Sequence, residues 1–135
     1  MQKILVATDA SPAADLAVEQ AARLAAAQDA ELLVLYVKAS LDAREVFSPD
    51  AMPDADAYLA GMVRRFVDVK VRTRLEAGDP AETICDVAEE ENADVIVVGN
   101  RGTQGKRRWF LGSVPNAVVQ HAPTSVYIVD TRSAQ

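Results

Sequence analysis

The sequence predicts a doubly wound α/β fold, a five-stranded parallel sheet of order 3-2-1-4-5 with helices on both faces. Three observations carry this. Short apolar runs at 3–8, 31–37 and 94–99 alternate with stretches of helical periodicity. The segment 67–76 instead alternates apolar with charged residues, as a half-wet edge strand does. Two cap-plus-proline pairs, Ser11-Pro12 and Asp79-Pro80, follow strand-like segments and open helices.

Taken in order, "KILVAT" (3–8) reads as a strand covered on both faces. Leu16, Ala17, Ala21, Leu24 and Ala25 recur at helical spacing, which predicts a helix over about 12–28 behind the Ser11 cap. "ELLVLYV" (31–37) is the second buried strand. Residues 39–57 contain Pro49, Pro53 and several acidic side chains and read as a long polar connection. A short helix near 55–66 follows, with Tyr58, Leu59, Met62, Val63 and Phe66 on one face. In 67–76, Val67, Val69, Val71, Thr73 and Leu75 alternate with Asp68, Lys70, Arg72, Arg74 and Glu76. The stretch 79–93 is a helix with Asp79 as N-cap and Glu82 at the capping-box position. "DVIVVG" (94–99) is apolar enough to be central. A helix over about 113–121, capped by Ser113, and a strand at 125–129 complete one domain, 1–135.

Composition limits what this domain does. The chain has 135 residues, half of them hydrophobic, enough for a core of its own. Its formal charge of −6 argues against nucleic acid as a partner, because phosphate backbones reward positive charge. A lone thiol, Cys85, fits a reducing compartment. No apolar run reaches the ~20 residues of a membrane span, and Asp9 arrives too early for a secretory signal core. These point to a cytoplasmic protein without a membrane association.

In an open sheet of this order, ligands bind beyond the carboxyl ends of the strands, where strands one and four diverge. Two loops meet there: "TDASP" and "GNRGTQGKRRWFLGS", residues 99–113, which holds four of the six glycines. A dinucleotide fingerprint is excluded because "TDASPAAD" has no glycine. A P-loop is excluded because Arg107 follows Gly105-Lys106 and Asn100 stands at the first glycine position. What remains is Gly99-x2-Gly102-x9-Gly112-Ser113. The glycines permit close approach of backbone to a ligand. Gly112-Ser113 at a helix mouth offers N–H groups, a hydroxyl and the positive dipole end to an anion, with Pro115 removing one donor.

That motif, followed by Val114, resembles the glycine motif of nucleotide-binding universal stress proteins. "ILVATDAS", "AELLVLYV", "GDPAETI", "ADVIVVGNRG" and "HAPTSVYIV" extend the resemblance over nearly the whole chain. It implies a flavodoxin-like, adenine-nucleotide α-hydrolase-like fold and a homodimer paired through the last strand, Ser125 to Asp130, with Tyr127 in the seam. It also implies ATP or another adenine nucleotide (ADP, AMP or cyclic AMP) as ligand, with Mg²⁺ accompanying ATP. By the same resemblance Asp9 meets the adenine or ribose side, with Ala7 and Thr8 beside it, and Val37 packs on the base. Val98 and Gly99 line the ribose and phosphate approach, Gly102 takes phosphate, and Gly112, Ser113 and Val114 cradle the phosphates. Ala10 stands where many members have glycine, and Asn100 where serine or threonine is commoner.

Simpler roles compete at several of these positions. Asp9 can merely cap the first helix or bond its own turn, and Ser113 can be a plain N-cap. Lys106-Arg107-Arg108 reads as a solvated loop, Trp109, Phe110 and Leu111 as its anchor, and Cys85 as a small core residue. His121 lies near a helix C-terminus with no second metal-type ligand beside it. No nucleophile–base pair is apparent. A binding module whose loop 100–112 reports nucleotide to partners is the leading reading. A slow ATPase or phosphotransferase using Asp9, and a nucleotide-independent dimeric interaction protein, are the alternatives.

Overall fold

The computed structural model describes residues 1–38, 55–100 and 111–131. Its elements are β1 (Lys3–Thr8), α1 (Pro12–Gln28), β2 (Glu31–Lys38), α2 (Ala55–Arg65), β3 (Val71–Ala77), α3 (Pro80–Glu90), β4 (Val95–Gly99), α4 (Ser113–His121) and β5 (Ser125–Val129). The five strands form one sheet of order β3-β2-β1-β4-β5, and every pair is parallel. The expected fold class is therefore the observed one.

Strand periodicity builds two cores from one sheet. Ile4, Val6, Leu32, Val34, Val95 and Val97 point to the face covered by α1 and α2. Their chain neighbours Leu5, Leu33, Leu35, Ile96 and Val98 point to the face covered by α3 and α4. Burial on both faces explains why these strands read as unbroken apolar runs. Each such side chain contributes about 1.5–3 kcal/mol on leaving water.

The helices follow their signals closely. Ser11 Oγ accepts the Ala14 N–H at 3.1 Å, and Pro12 occupies the first turn of α1. Ala17, Ala21, Ala22 and Ala25 form its buried face, and their small size lets the helix lie close to the sheet. Asp79 Oδ2 accepts the Glu82 N–H at 2.9 Å and caps α3. Arg65 ties α2 to α1 by bonds to Asp15 (2.6 Å) and Glu19 (2.7 Å).

Several expectations need correction: Val63 is 48% exposed rather than on the buried face of α2, and α3 ends at Glu90, short of the expected 93. Strand β3 starts at Val71 rather than Val67, and Val67 is 85% exposed. Alternation continues through 67–70, but β2 has no residues left to pair there: the ladder starts where Leu32 N–H meets the Lys70 carbonyl at 2.8 Å. Likewise Ser113 is the first residue of α4, and its N-cap is Gly112, with no side-chain capping bond. Both β3 and β5 are edges, and Tyr127 on β5 is 41% exposed. Among the described residues no helix is long and apolar enough to cross a membrane.

Candidate functional site

The carboxyl ends of β1 and β4 lie side by side, with Val6 opposite Val97, at the place where the strand order reverses. On the other side of β1, Thr8 is level with Tyr36 of β2, so Val37 sits one residue further out. The polypeptide leaves β1 at Asp9 and leaves β4 at Asn100, and α4 begins nearby because Gly112 N–H binds the Asn100 carbonyl at 2.9 Å.

Four of the sequence-derived site residues share one face. Val37 and Val98 are buried in the core beneath α3 and α4, and Ala7 and Val114 pack against the same cluster. All four belong to one hydrophobic cluster near the carboxyl ends of the strands, covered by α3 and α4. Gly99 ends β4 level with Val129. Thr8 faces the opposite side, where its Oγ1 lies 2.9 Å from the Tyr58 hydroxyl of α2. Gly102, and with it Lys106, Arg107, Arg108, Trp109 and Phe110, lies outside the described residues.

Asp9 does bond its own turn: Oδ1 accepts the Ser11 N–H at 3.0 Å. One carboxylate oxygen is used in this way, and Asp9 stays exposed at the strand end. Thr8 Oγ1 accepts the Ala10 N–H at 3.0 Å, so two side chains hold the turn. Ala10 adopts φ 67°, the left-handed region that favours glycine. The departure from glycine noted in the sequence therefore falls on a strained position of the candidate site.

At the other wall, the N-terminus of α4 differs from the simplest expectation. Gly112 N–H is occupied by Asn100, and Pro115 has no N–H to give. The donors left to receive an anion are the N–H groups of Ser113 and Val114, the exposed Ser113 hydroxyl and the helix dipole.

Two participants escaped sequence reasoning. Tyr58 was visible only as part of an apolar helix face. Asn100 looked like a departure from the family pattern, yet its Oδ1 accepts both the N–H (3.1 Å) and the hydroxyl (2.8 Å) of Thr131. Asn100 thus joins the ends of β4 and β5 to the start of α4. Nothing in its local sequence signals a partner 31 residues away. Among the described residues no cluster of three or more His, Cys, Asp or Glu could hold a metal ion. Burial pushes the Cys85 thiol above its ordinary range, with Asp86 adding to the effect, which opposes nucleophilic use.

A doubly wound parallel sheet with an aspartate turn and a helix N-terminus at its switch point is a flavodoxin-like α/β domain, the architecture whose ligands bind beyond the carboxyl ends of the strands. The chain belongs to the universal stress protein family, whose family model matches residues 1–130. A putative universal stress protein of Staphylococcus aureus (strain USA300) is 32% identical over 143 residues, covering 96% of this chain and 84% of its own. Among solved structures, universal stress protein UspA from Lactobacillus plantarum is 31% identical with a TM-score of 0.80, covering 95% of this chain and 97% of that one. A universal stress protein in complex with cAMP is 28% identical with a TM-score of 0.77, covering 96% and 97% of the two chains.

Proposed function

We propose that this protein is an adenine-nucleotide-binding regulatory module of the nucleotide-binding subgroup. The observation that carries the reading is that Ala7, Val37, Val98 and Val114 meet in one hydrophobic cluster beside the α4 N-terminus, with Ala7 and Val114 only partly buried. An aromatic base needs such apolar contact, and its phosphates need such a donor set. That a family member of similar fold was solved with cAMP supports the same ligand class.

In this reading the base rests on Val37, and Asp9, with Ala7 and Thr8 beside it, meets the adenine or ribose side. Val98, Gly99 and Gly102 line the approach to the phosphates. Ser113 and Val114 hold them, with Gly112 giving clearance. ATP is the leading ligand, with Mg²⁺ as its counterion, and ADP, AMP and cyclic AMP are the competitors. Nucleotide biases the loop between Asn100 and Gly112, and the protein signals through that loop as a homodimer joined along Ser125 to Asp130. The edge position of β5 supports this seam.

Isothermal titration with ATP, ADP, AMP and cyclic AMP tests the reading. Saturable heat with at least one of them is expected. Absence of both heat and thermal stabilisation with all four overturns it.

A further inference from the structure

We propose that Tyr58 is a positioning residue for the nucleotide site, through which helix α2 sets the affinity of the β1–α1 turn. The inference rests on the adenine-nucleotide reading above. It starts from a chain of contacts that leads from α2 to Asp9. Leu59 and Met62 bury α2 against the sheet, and Arg65 clamps it to Asp15 and Glu19 of α1. The Tyr58 ring is held edge-on to Tyr36 of β2, with centroids 5.6 Å apart and planes at 80°. Its hydroxyl therefore has a defined position, 2.9 Å from Thr8 Oγ1.

Thr8 is 5% exposed, and its hydroxyl does two jobs. Besides meeting Tyr58 it accepts the Ala10 N–H at 3.0 Å, holding the residue at φ 67°. The next N–H, that of Ser11, binds Asp9 Oδ1. Fixing the Thr8 rotamer thus fixes the strained turn that presents Asp9. Without the phenol, the Thr8 hydroxyl loses one of its two partners, other rotamers gain population, the Ala10 N–H loses its acceptor part of the time, and the turn relaxes. Tyr58 touches no ligand in this scheme and acts through Thr8.

The test is a double-mutant cycle on ATP affinity, or on that of whichever of ADP, AMP and cyclic AMP wild type binds if it does not take ATP, with wild type, Tyr58→Phe, Thr8→Val and the double variant, alongside urea denaturation of each. Tyr58→Phe keeps the ring against Tyr36 and removes only the hydroxyl. It is expected to weaken binding about three- to tenfold, the equivalent of one hydrogen bond. The double variant is expected to bind no more weakly than Thr8→Val alone. A merely structural bond would move the urea midpoint and leave the Kd of the folded protein unchanged, and that outcome overturns the proposal. Additive losses overturn it too, because Tyr58 would then act independently of Thr8. Should Thr8→Val fail to fold, 3-fluorotyrosine labelling supplies a second measure. The Tyr58 resonance, assigned by its loss in Tyr58→Phe, is expected to shift on adding the nucleotide that wild type binds, and an unmoved resonance overturns the proposal. If wild type binds none of the four nucleotides, the functional reading itself fails. Binding by wild type with an unaffected Tyr58→Phe removes this inference alone.

Discussion

Asn100 and Thr131 lock the outgoing ends of two neighbouring strands. One amide oxygen of Asn100 accepts both the backbone N–H and the hydroxyl of Thr131, which is 3% exposed. The Asn100 backbone meanwhile bonds Val129 and Gly112. Replacing Asn100 with alanine strands two buried donors and is expected to cost about 1–3 kcal/mol. Asn100→Asp keeps an oxygen in the same place and should retain most of that stability. It also sets a negative charge beside the candidate phosphate site, so ATP affinity should fall while urea stability does not. Equal loss of stability in both variants would show that the bonds to Thr131 are not what matters.

Ser113 provides a separate test of the same wall. Its side chain makes no capping bond, because Gly112 is the N-cap of α4. Ser113→Ala is therefore expected to change stability by less than about 0.5 kcal/mol, against roughly 1 kcal/mol for loss of a true cap. If the hydroxyl receives phosphate, the same variant weakens ATP binding. Combined with Gly112→Val, which fills the clearance, it should abolish binding in titration while the circular dichroism spectrum is kept. Undiminished affinity in the double variant would remove phosphate from this helix end.

How much of this was legible beforehand depends on whether the determinant is local. Ser11-Pro12 and Asp79-Pro80 each lie within one turn of the helix they start, so both caps could be read from adjacent letters. The edge place of β3 was visible in its charges, because Arg72 and Arg74 alternate with apolar residues. Its first residue was not, since that depends on where β2 begins to offer partners. The same distinction runs through the site. Ala7, Val37 and Val98 follow only from the family resemblance, and they share a face as period-two strands require. The Thr8–Tyr58 and Asn100–Thr131 bonds join residues 50 and 31 positions apart, and no periodicity encodes such a pair. Why Ser113 was misassigned is also plain: serine is a favoured cap, but here the backbone turns into the helix one residue earlier, at Gly112.

The C-terminus of α1 offers a stabilising change. Asp29 sits there at φ 52° and ψ 45°, its N–H bonded back to Ala25 and Ala26. A side chain in this region is strained, and a carboxylate faces the negative end of the helix dipole. The last turn of α1 holds no basic residue to offset it. Asp29→Gly relieves both effects and gives back part through glycine's greater unfolded-state freedom. A net gain of about 1 kcal/mol in urea denaturation is expected, with nucleotide affinity unchanged because the helix end lies at the amino end of the strands, opposite their carboxyl ends.

At that opposite side the protein carries an acid-sensitive network. Glu91 receives bonds from Arg72 (3.0 Å), Lys3 (3.1 Å) and Arg74 (3.2 Å). Glu31 is approached by Arg72 at 3.1 Å and by Lys70 at 3.5 Å. The hydrogen bond from Arg72, against the opposing effect of burial and with help from Lys3, holds the Glu91 carboxyl down at about 2. For Glu31 burial opposes ionisation, but bonds from Arg72 and Lys70 still keep its carboxyl below the usual range. A carboxylate depressed in the folded state contributes stability that is complete above its unfolded value and is lost as pH falls through the folded one. The loss should therefore run from roughly pH 5 down to about pH 2. Arg72 is 44% exposed, so solvent screening trims the effect of Glu91 to the order of 1–2 kcal/mol. Glu91→Gln is expected to lower stability at pH 7 by that amount and to flatten the decline between pH 5 and pH 3. Urea midpoints measured at pH 7, 5 and 3 check both parts, and a variant that declines as steeply as wild type would place the acid sensitivity elsewhere.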